Sequence, residues 1–300
     1  MFTGMSEGGA RFDHAADATE RAARAGERAR AALAGSRFAD VRWVATTGST
    51  NADAMALARR GEREGIVVVA DHQSAGRGRR DRTWVAPPGG SLLVSVLLRP
   101  PARVAGAVTM AAGVAMAGAV EQVAGVVAGL KWPNDLVVDT ADGERKLAGI
   151  LAEADWPAGS TASAGYRPPG PHDRAVVVVG VGLNVSWPEV PDELGRLATA
   201  LSLLGGEAGA DVDRVEVLVA FLRRLDEGYA ALVDGGADGL LDRWRARSVT
   251  LGRRVRVDLG AGEVEGTALD VTPEGHLVMA TDEGVRRTIA VGDVVHLRPA

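Results

Sequence analysis

The sequence predicts an α+β fold: a large domain of interspersed strands and helices, followed by a small β-barrel. Three observations carry this. From Phe38 to Arg247 short apolar runs of strand length are separated by stretches with helical periodicity. From Arg253 onward the chain becomes short alternating strands divided by tight turns, the pattern of a small barrel. With 300 residues, 46% of them hydrophobic, the chain can bury a core for one large and one small domain.

Residues 1–36 are rich in Ala, Gly, Arg and Glu and offer almost no large apolar residue to bury. A helix over Ala15–Leu33 fits the pattern, and the segment reads as a mobile, dispensable tail. The run VRWVA follows as a strand, then a polar turn in which Ser49, Thr50 or Asn51 caps a helix over Ala52–Arg60. Strands are expected at Ile66–Ala70 and Ser91–Leu98, with a Gly- and Arg-rich loop, Ser74–Arg82, between them. A helix of small residues from Val104 to Val127 is suited to close packing. Strands at Leu147–Ala154 and Ala175–Val185 flank Asp155–Arg174, whose Pro, Gly and Ser read as an exposed hairpin insertion. Helices over Asp213–Val233 and Leu240–Arg247 close the large domain, and Arg253–Asp258, Glu263–Asp270, His276–Ala280 and Arg286–Val291 form the barrel. The expected division is a tail at 1–36, a large domain at 37–248 and the barrel at 249–300.

Composition narrows function. A net charge of −5 and a pI near 5.6 disfavour non-specific nucleic-acid binding, which needs clustered cations. No apolar stretch is flanked like a membrane span and no secretory signal pattern opens the chain, so a cytoplasmic location is expected. Without cysteine there are neither disulfides nor thiolate metal sites. Of 34 basic residues only Lys131 and Lys146 are lysines, and the only asparagines are Asn51, Asn134 and Asn184. A chain that writes its cations as Arg, yet keeps Lys twice within sixteen positions, hints that a compact ammonium is wanted there; chance is the rival reading.

The loop GRGRRDRTW, Gly76–Trp84, sets four arginines among glycines directly after a strand. Glycines let backbone amides approach an anion and guanidinium groups supply forked donors. A solvated basic turn is the alternative. Trp84 at its exit either stacks on a purine or is a core aromatic. In LKWPNDLVV, Lys131, Asn134 and Asp135 surround Pro133 just before a strand; such a set suits a phosphate and its Mg²⁺, or is an ordinary turn. RKLAGILAE places Lys146 at a strand entry beside the small Ala148 and Gly149, and VVVVGVGLNV ends an apolar strand in Asn184 with Gly180 and Gly182 before it. Glycines inside a strand ask for a reason, such as a ligand lying against the sheet. The five histidines lack metal-ligand spacing, and no nucleophile elbow is present. A site that binds a phosphorylated ligand without a covalent nucleophile suits acyl-adenylate chemistry.

In this order, STN at 49–51, Gln73 followed by AGRGRR, Trp84, KWPND at 131–135, KLAGILAE at 146–153 and GVGLNV at 180–185 resemble the biotin–protein ligases. The likeness covers roughly Ser49 to Val185, and the terminal barrel also looks like that family's. It takes in all three asparagines and both lysines.

The resemblance implies a mixed sheet with helices on one side, followed by an SH3-like barrel. It implies an ATP-dependent ligase that forms biotinyl-adenylate and transfers biotin to a lysine of a biotin carboxyl carrier protein domain, with ATP and Mg²⁺ as cofactors. Ser49, Thr50, Asn51, Gln73, Gly76 and Gly149 would meet biotin, and Arg77, Arg79 and Lys146 would act at its carboxylate and the phosphate. Arg79, Arg80, Arg82, Trp84, Lys131, Asn134 and Asn184 would bind ATP, and Asp135 the Mg²⁺. Asp81 departs from the glycine that many members carry there. A short form lacking the N-terminal DNA-binding domain is expected, hence no DNA and no membrane partner, with a homodimer left open. A lipoate or octanoate transferase, a biotin-dependent repressor and a peptide-binding scaffold are the rival readings.

Overall fold

The computed structural model describes residues 7–156, 170, 173–190, 192, 194–204, 211–260, 262–290 and 292–297. Its large sheet is built from β1 (Val41–Thr47), β2 (Val67–Gln73), β3 (Ser91–Leu98), β4 (Gly129–Lys131), β5 (Asp135–Thr140), β6 (Gly143–Asp155) and β7 (Val176–Asn184). The spatial order is β1-β2-β3-β7-β6-β5-β4. Only β1 and β2 run parallel; every other pairing is antiparallel, so the sheet is mixed.

Alternation along the central strands divides the core in two. Val177, Val179, Val181 and Leu183 of β7 point into the main core with Leu92, Val94 and Val96 of β3. On that face lie α1 (Glu7–Ala32), α3 (Val108–Ala124), α4 (Arg214–Gly235) and α5 (Asp238–Arg247). By length and composition the helical stretch Ala102–Ala124, which ends in α3, is apolar enough to cross a membrane, yet most of it is buried, with α3 against the sheet and α4. Left-handed Gly125, φ 65°, ends it. The opposite face carries one helix, α2 (Thr50–Arg59), which packs Ala54, Met55 and Leu57 on Val68, Leu97 and Val178. It covers only part of that face and leaves the rest for the site.

Residues 7–32 correct the expectation of a mobile tail. They form α1, with Ala22, Ala29 and, just after the helix, Leu33 buried and Arg30 Nη1 donating to the Val41 carbonyl at 2.8 Å. Large side chains are not needed, because alanines let the helix backbone come close to the edge strand β1. The insertion expected at Asp155–Arg174 lies largely outside the described residues.

After α5 the chain forms β8 (Arg254–Asp258), β9 (Glu263–Val271), β10 (Leu277–Thr281), β11 (Arg286–Ile289) and β12 (Asp293–His296), antiparallel in the order β11-β10-β9-β8-β12. β12 was not anticipated: it has four residues, and its partner β8 lies far back in sequence. Trp132, buried under this unit, donates its indole N–H to the Gly275 carbonyl at 2.9 Å and so ties the KWPND turn to the barrel.

Candidate active site

Strand register sets the floor of the site. Gly149 of β6 faces Gly182 of β7, which faces Leu93 of β3; one step along, Leu151, Gly180 and Ser95 form the next row. All of these project to the face that α2 leaves open. A Cβ at Gly182 would lie 2.5 Å from the Trp84 indole, and one at Gly180 would lie 2.1 Å from Asn51 Oδ1. The glycines are thus required by what rests on the sheet. Above them is a cavity of about 320 Å³.

At one end sits a buried polar cluster. Ser49 precedes α2 without a side-chain capping bond, and Thr50 and Asn51 are its first residues. Gln73 Oε1 accepts from the Thr50 backbone N–H at 2.8 Å and from its hydroxyl at 2.9 Å. With its carbonyl so engaged, Gln73 keeps its amide hydrogens for a ligand. Asn51 Nδ2 donates to the Leu151 carbonyl at 3.2 Å and to Glu153 Oε2 at 2.7 Å. The Ser95 hydroxyl stands 2.7 Å from Thr50 Oγ1 and 2.6 Å from Asn51 Oδ1.

The arginine loop forms the second wall. It is pinched by pairing of Arg77 with Thr83 and turns through Arg80 and Asp81 with φ of 54° and 58°. This left-handed conformation explains why a glycine suits position 81. Arg77 donates to Glu153 Oε2 at 2.9 Å. Asp293, at the start of β12, gathers the other three: Arg79 at 3.6 Å, Arg80 at 3.3 Å, and Arg82. Burial pushes the Arg79 guanidinium below its ordinary value, an effect that Asp293 and Asp135 oppose. Trp84, at the loop's exit, lies across the glycine floor with its Nε1 buried and unpartnered.

Lys146 and Asp135 meet at 2.7 Å across β5 and β6, and the Lys146 ammonium also lies 5.5 Å above the Trp84 ring. Asn134 is fixed by reciprocal bonds to Ile150, 2.7 Å from its Nδ2 to the carbonyl and 2.9 Å back to its own carbonyl. Lys131 pairs with Glu144 at 2.7 Å. Burial pushes the Glu144 carboxyl up, but hydrogen bonds from His296 and Lys131 outweigh it and hold it at about 2. Asn184 donates to the Thr199 carbonyl at 2.9 Å while its buried Oδ1 has no partner. Two buried polar atoms without partners, Trp84 Nε1 and Asn184 Oδ1, point to a ligand that completes them.

The fold thus brings Ser49, Thr50, Asn51, Gln73, Arg77, Arg79, Arg82, Trp84, Lys131, Asn134, Asp135, Lys146, Gly149 and Asn184 around one cavity. It does not bring Arg80, which reaches away to Asp258 and Asp293, or Gly76, packed under the Trp84 carbonyl. Sequence reading missed Ser95, Glu153, Glu144 and Asp293. A serine inside the wholly buried run SLLVSVLL was a usable signal for Ser95; nothing local marks Asp293, whose partners are more than two hundred residues away. Among the described residues no group of three or more His, Cys, Asp or Glu gathers to hold a metal alone. Asp135, a single carboxylate facing the cavity from β5, fits Mg²⁺, which keeps waters and ligand phosphates in its shell.

Comparison with known proteins agrees on one family. A family model described as Biotin/lipoate A/B protein ligase family matches residues 45–164, and one described as Biotin protein ligase C terminal domain matches residues 250–297. The biotin–(acetyl-CoA-carboxylase) ligase of Mycobacterium tuberculosis is 38% identical over 274 residues, 88% of this chain and 92% of that protein. The enzyme of the same name from Paracoccus denitrificans is 32% identical over 255 residues, 84% of this chain and 98% of that protein. Among solved structures, a biotin protein ligase from Aquifex aeolicus in complex with biotin and ATP superposes with a TM-score of 0.69 at 27% identity, covering 87% of this chain and all of that one.

Proposed function

Since the chain belongs to the biotin protein ligase family and is an ATP-dependent biotin ligase, we propose that it makes biotinyl-adenylate and passes the biotinyl group to a lysine of a biotin carboxyl carrier protein domain. The observation that carries this reading is convergence: both lysines and all three asparagines of the chain stand around the one cavity, with the arginine loop across its mouth.

In this reading the buried end takes the polar ring of biotin. The Ser49 hydroxyl, Thr50 and the free amide hydrogens of Gln73 bind it, Asn51 shapes the pocket, and bare Gly149 lets the ring system lie against the sheet. Arg77, Arg79 and Lys146 hold the carboxylate against the α-phosphate of ATP. Trp84 lies beside the adenine, Asn184 supports the nucleotide, and Lys131, Asn134 and Arg82 neutralise its phosphates. Magnesium, when bound, would offset phosphate charge, with Asp135 as its protein ligand.

A carboxylate oxygen of biotin attacks the α-phosphorus, and the bond to pyrophosphate breaks, leaving the mixed anhydride. The carrier's neutral amine then attacks the acyl carbon, releasing AMP and a proton. Positioning and charge neutralisation supply the catalysis, since no side chain becomes covalently bonded. Closure of the loop keeps water from the anhydride. The catalytic unit ends near residue 248 and the barrel follows; the setting is cytoplasmic, without DNA.

ATP–pyrophosphate exchange compared with biotin, lipoate and octanoate tests the reading. Exchange driven by biotin alone is expected; exchange driven by lipoate and not by biotin would overturn it.

A further inference from the structure

Glu153 joins the two walls of the site. It stands on β6 two residues past Leu151, and a single oxygen, Oε2, accepts from Asn51 Nδ2 at 2.7 Å and from Arg77 Nη2 at 2.9 Å. Asn51 is 4% exposed and belongs to the buried cluster; Arg77 is nearly half exposed and belongs to the loop. Both line the cavity, whereas Glu153 does not. A carboxylate outside the cavity lining therefore holds two groups that belong to it.

Each contact has its own effect. With one amide hydrogen on Glu153 and the other on the Leu151 carbonyl, the Asn51 amide has one orientation, its Oδ1 toward Ser95. A long, exposed arginine loses rotamer freedom when it binds an anion, and an ion pair that already aims it reduces that loss. We propose that Glu153 is a positioning residue for substrate binding: it presets the Arg77 guanidinium at the cavity mouth for the ligand carboxylate, and locks Asn51 beneath it. This rests on the biotin reading above. Once the ligand carboxylate is in place it holds Arg77 itself, so the contribution of Glu153 lies in binding and not in turnover.

The test is a double-mutant cycle on the full chain, read as biotin affinity by calorimetry and as a KM–kcat split. E153Q keeps an acceptor for Asn51 but removes the charge facing Arg77; it should weaken biotin binding about tenfold, the scale of one charge-assisted hydrogen bond. At saturating biotin, kcat should change less than about threefold, because only groups that act in the transition state alone move it. R77A leaves Glu153 and Asn51 in place and approaches the same coupling from the loop side. E153Q added to R77A should cost little more, since the partner it presets is gone. Full additivity, or an E153Q protein with wild-type affinity, overturns the inference, as does a loss confined to kcat. Wild-type binding of biotin is measured first: failure there counts against the biotin reading, whereas binding by wild type and E153Q alike counts against Glu153 only.

Discussion

The polar row at Thr50, Gln73 and Ser95 and the arginine loop opposite are held by different forces. In the row the Thr50 N–H and hydroxyl and the Ser95 hydroxyl are matched inside the fold at 2.7 to 2.9 Å, with Thr50 and Ser95 almost fully buried. In the loop the anchors are ion pairs on partly exposed side chains, with Arg82 65% exposed and all three later arginines sharing Asp293. Buried hydrogen bonds resist loss, because an orphaned partner keeps its full desolvation cost. Exposed ion pairs contribute only about 0–1 kcal/mol each and are screened by salt. One wall is therefore a fixed mould, and the other can exchange a protein carboxylate for a phosphate without unfolding anything.

Replacing the cation between these walls should have the largest effect. The Lys146 ammonium fits between Asp135 and the Trp84 ring, and its Cε and Nζ lie 3.1 Å from where a Gly149 Cβ would be. A longer, planar guanidinium keeps the charge but not this geometry. K146R is expected to lose about a hundredfold in adenylation, or about 3 kcal/mol. Single-turnover adenylate formation, with circular dichroism to confirm folding, is the measurement; a folded variant at wild-type rate would show that charge alone matters.

On the fixed wall, G180A drives a methyl into Asn51. Overpacking of a rigid site costs about 1–3 kcal/mol, so the melting temperature should drop and biotin binding weaken together. A variant of normal stability and affinity would mean that the wall yields, and the contrast with the loop would fail.

Effects on the movable wall should be smaller and kinetic. D293N removes the shared anchor, with a stability change under about 1 kcal/mol, and amide exchange over residues 74–82 should quicken in the ligand-free protein. Raising salt should move the wild type the same way. Equal exchange in D293N and wild type would show that backbone pairing, not the barrel, holds the loop. The smallest change is expected from D81G, which relieves a left-handed residue by about 1 kcal/mol at most. It should alter retention of the adenylate more than selectivity among acids; a shift in selectivity alone would place Asp81 elsewhere.

Much of this was legible in sequence because it is local. Strand β3 was read to the residue, and α2, α4 and α5 nearly so, since apolar period and capping residues are written in consecutive positions. The rarity of lysine and asparagine marked five positions that all line the cavity. The helix α1 was misjudged because local apolar content understates burial when alanines pack close to a strand.

What the sequence determined by itself is thus most of the elements and the inventory of anion-binding groups. Their pairing was decided in three dimensions. The register that sets Gly149 beside Gly182, the single oxygen of Glu153 between Asn51 and Arg77, and the reach of Asp293 to three arginines join residues from about thirty to more than two hundred positions apart. No periodicity encodes such distances: a hydrogen bond or an ion pair is a condition on separation in space, and only a folded sheet with a barrel docked beside it brings these atoms within reach.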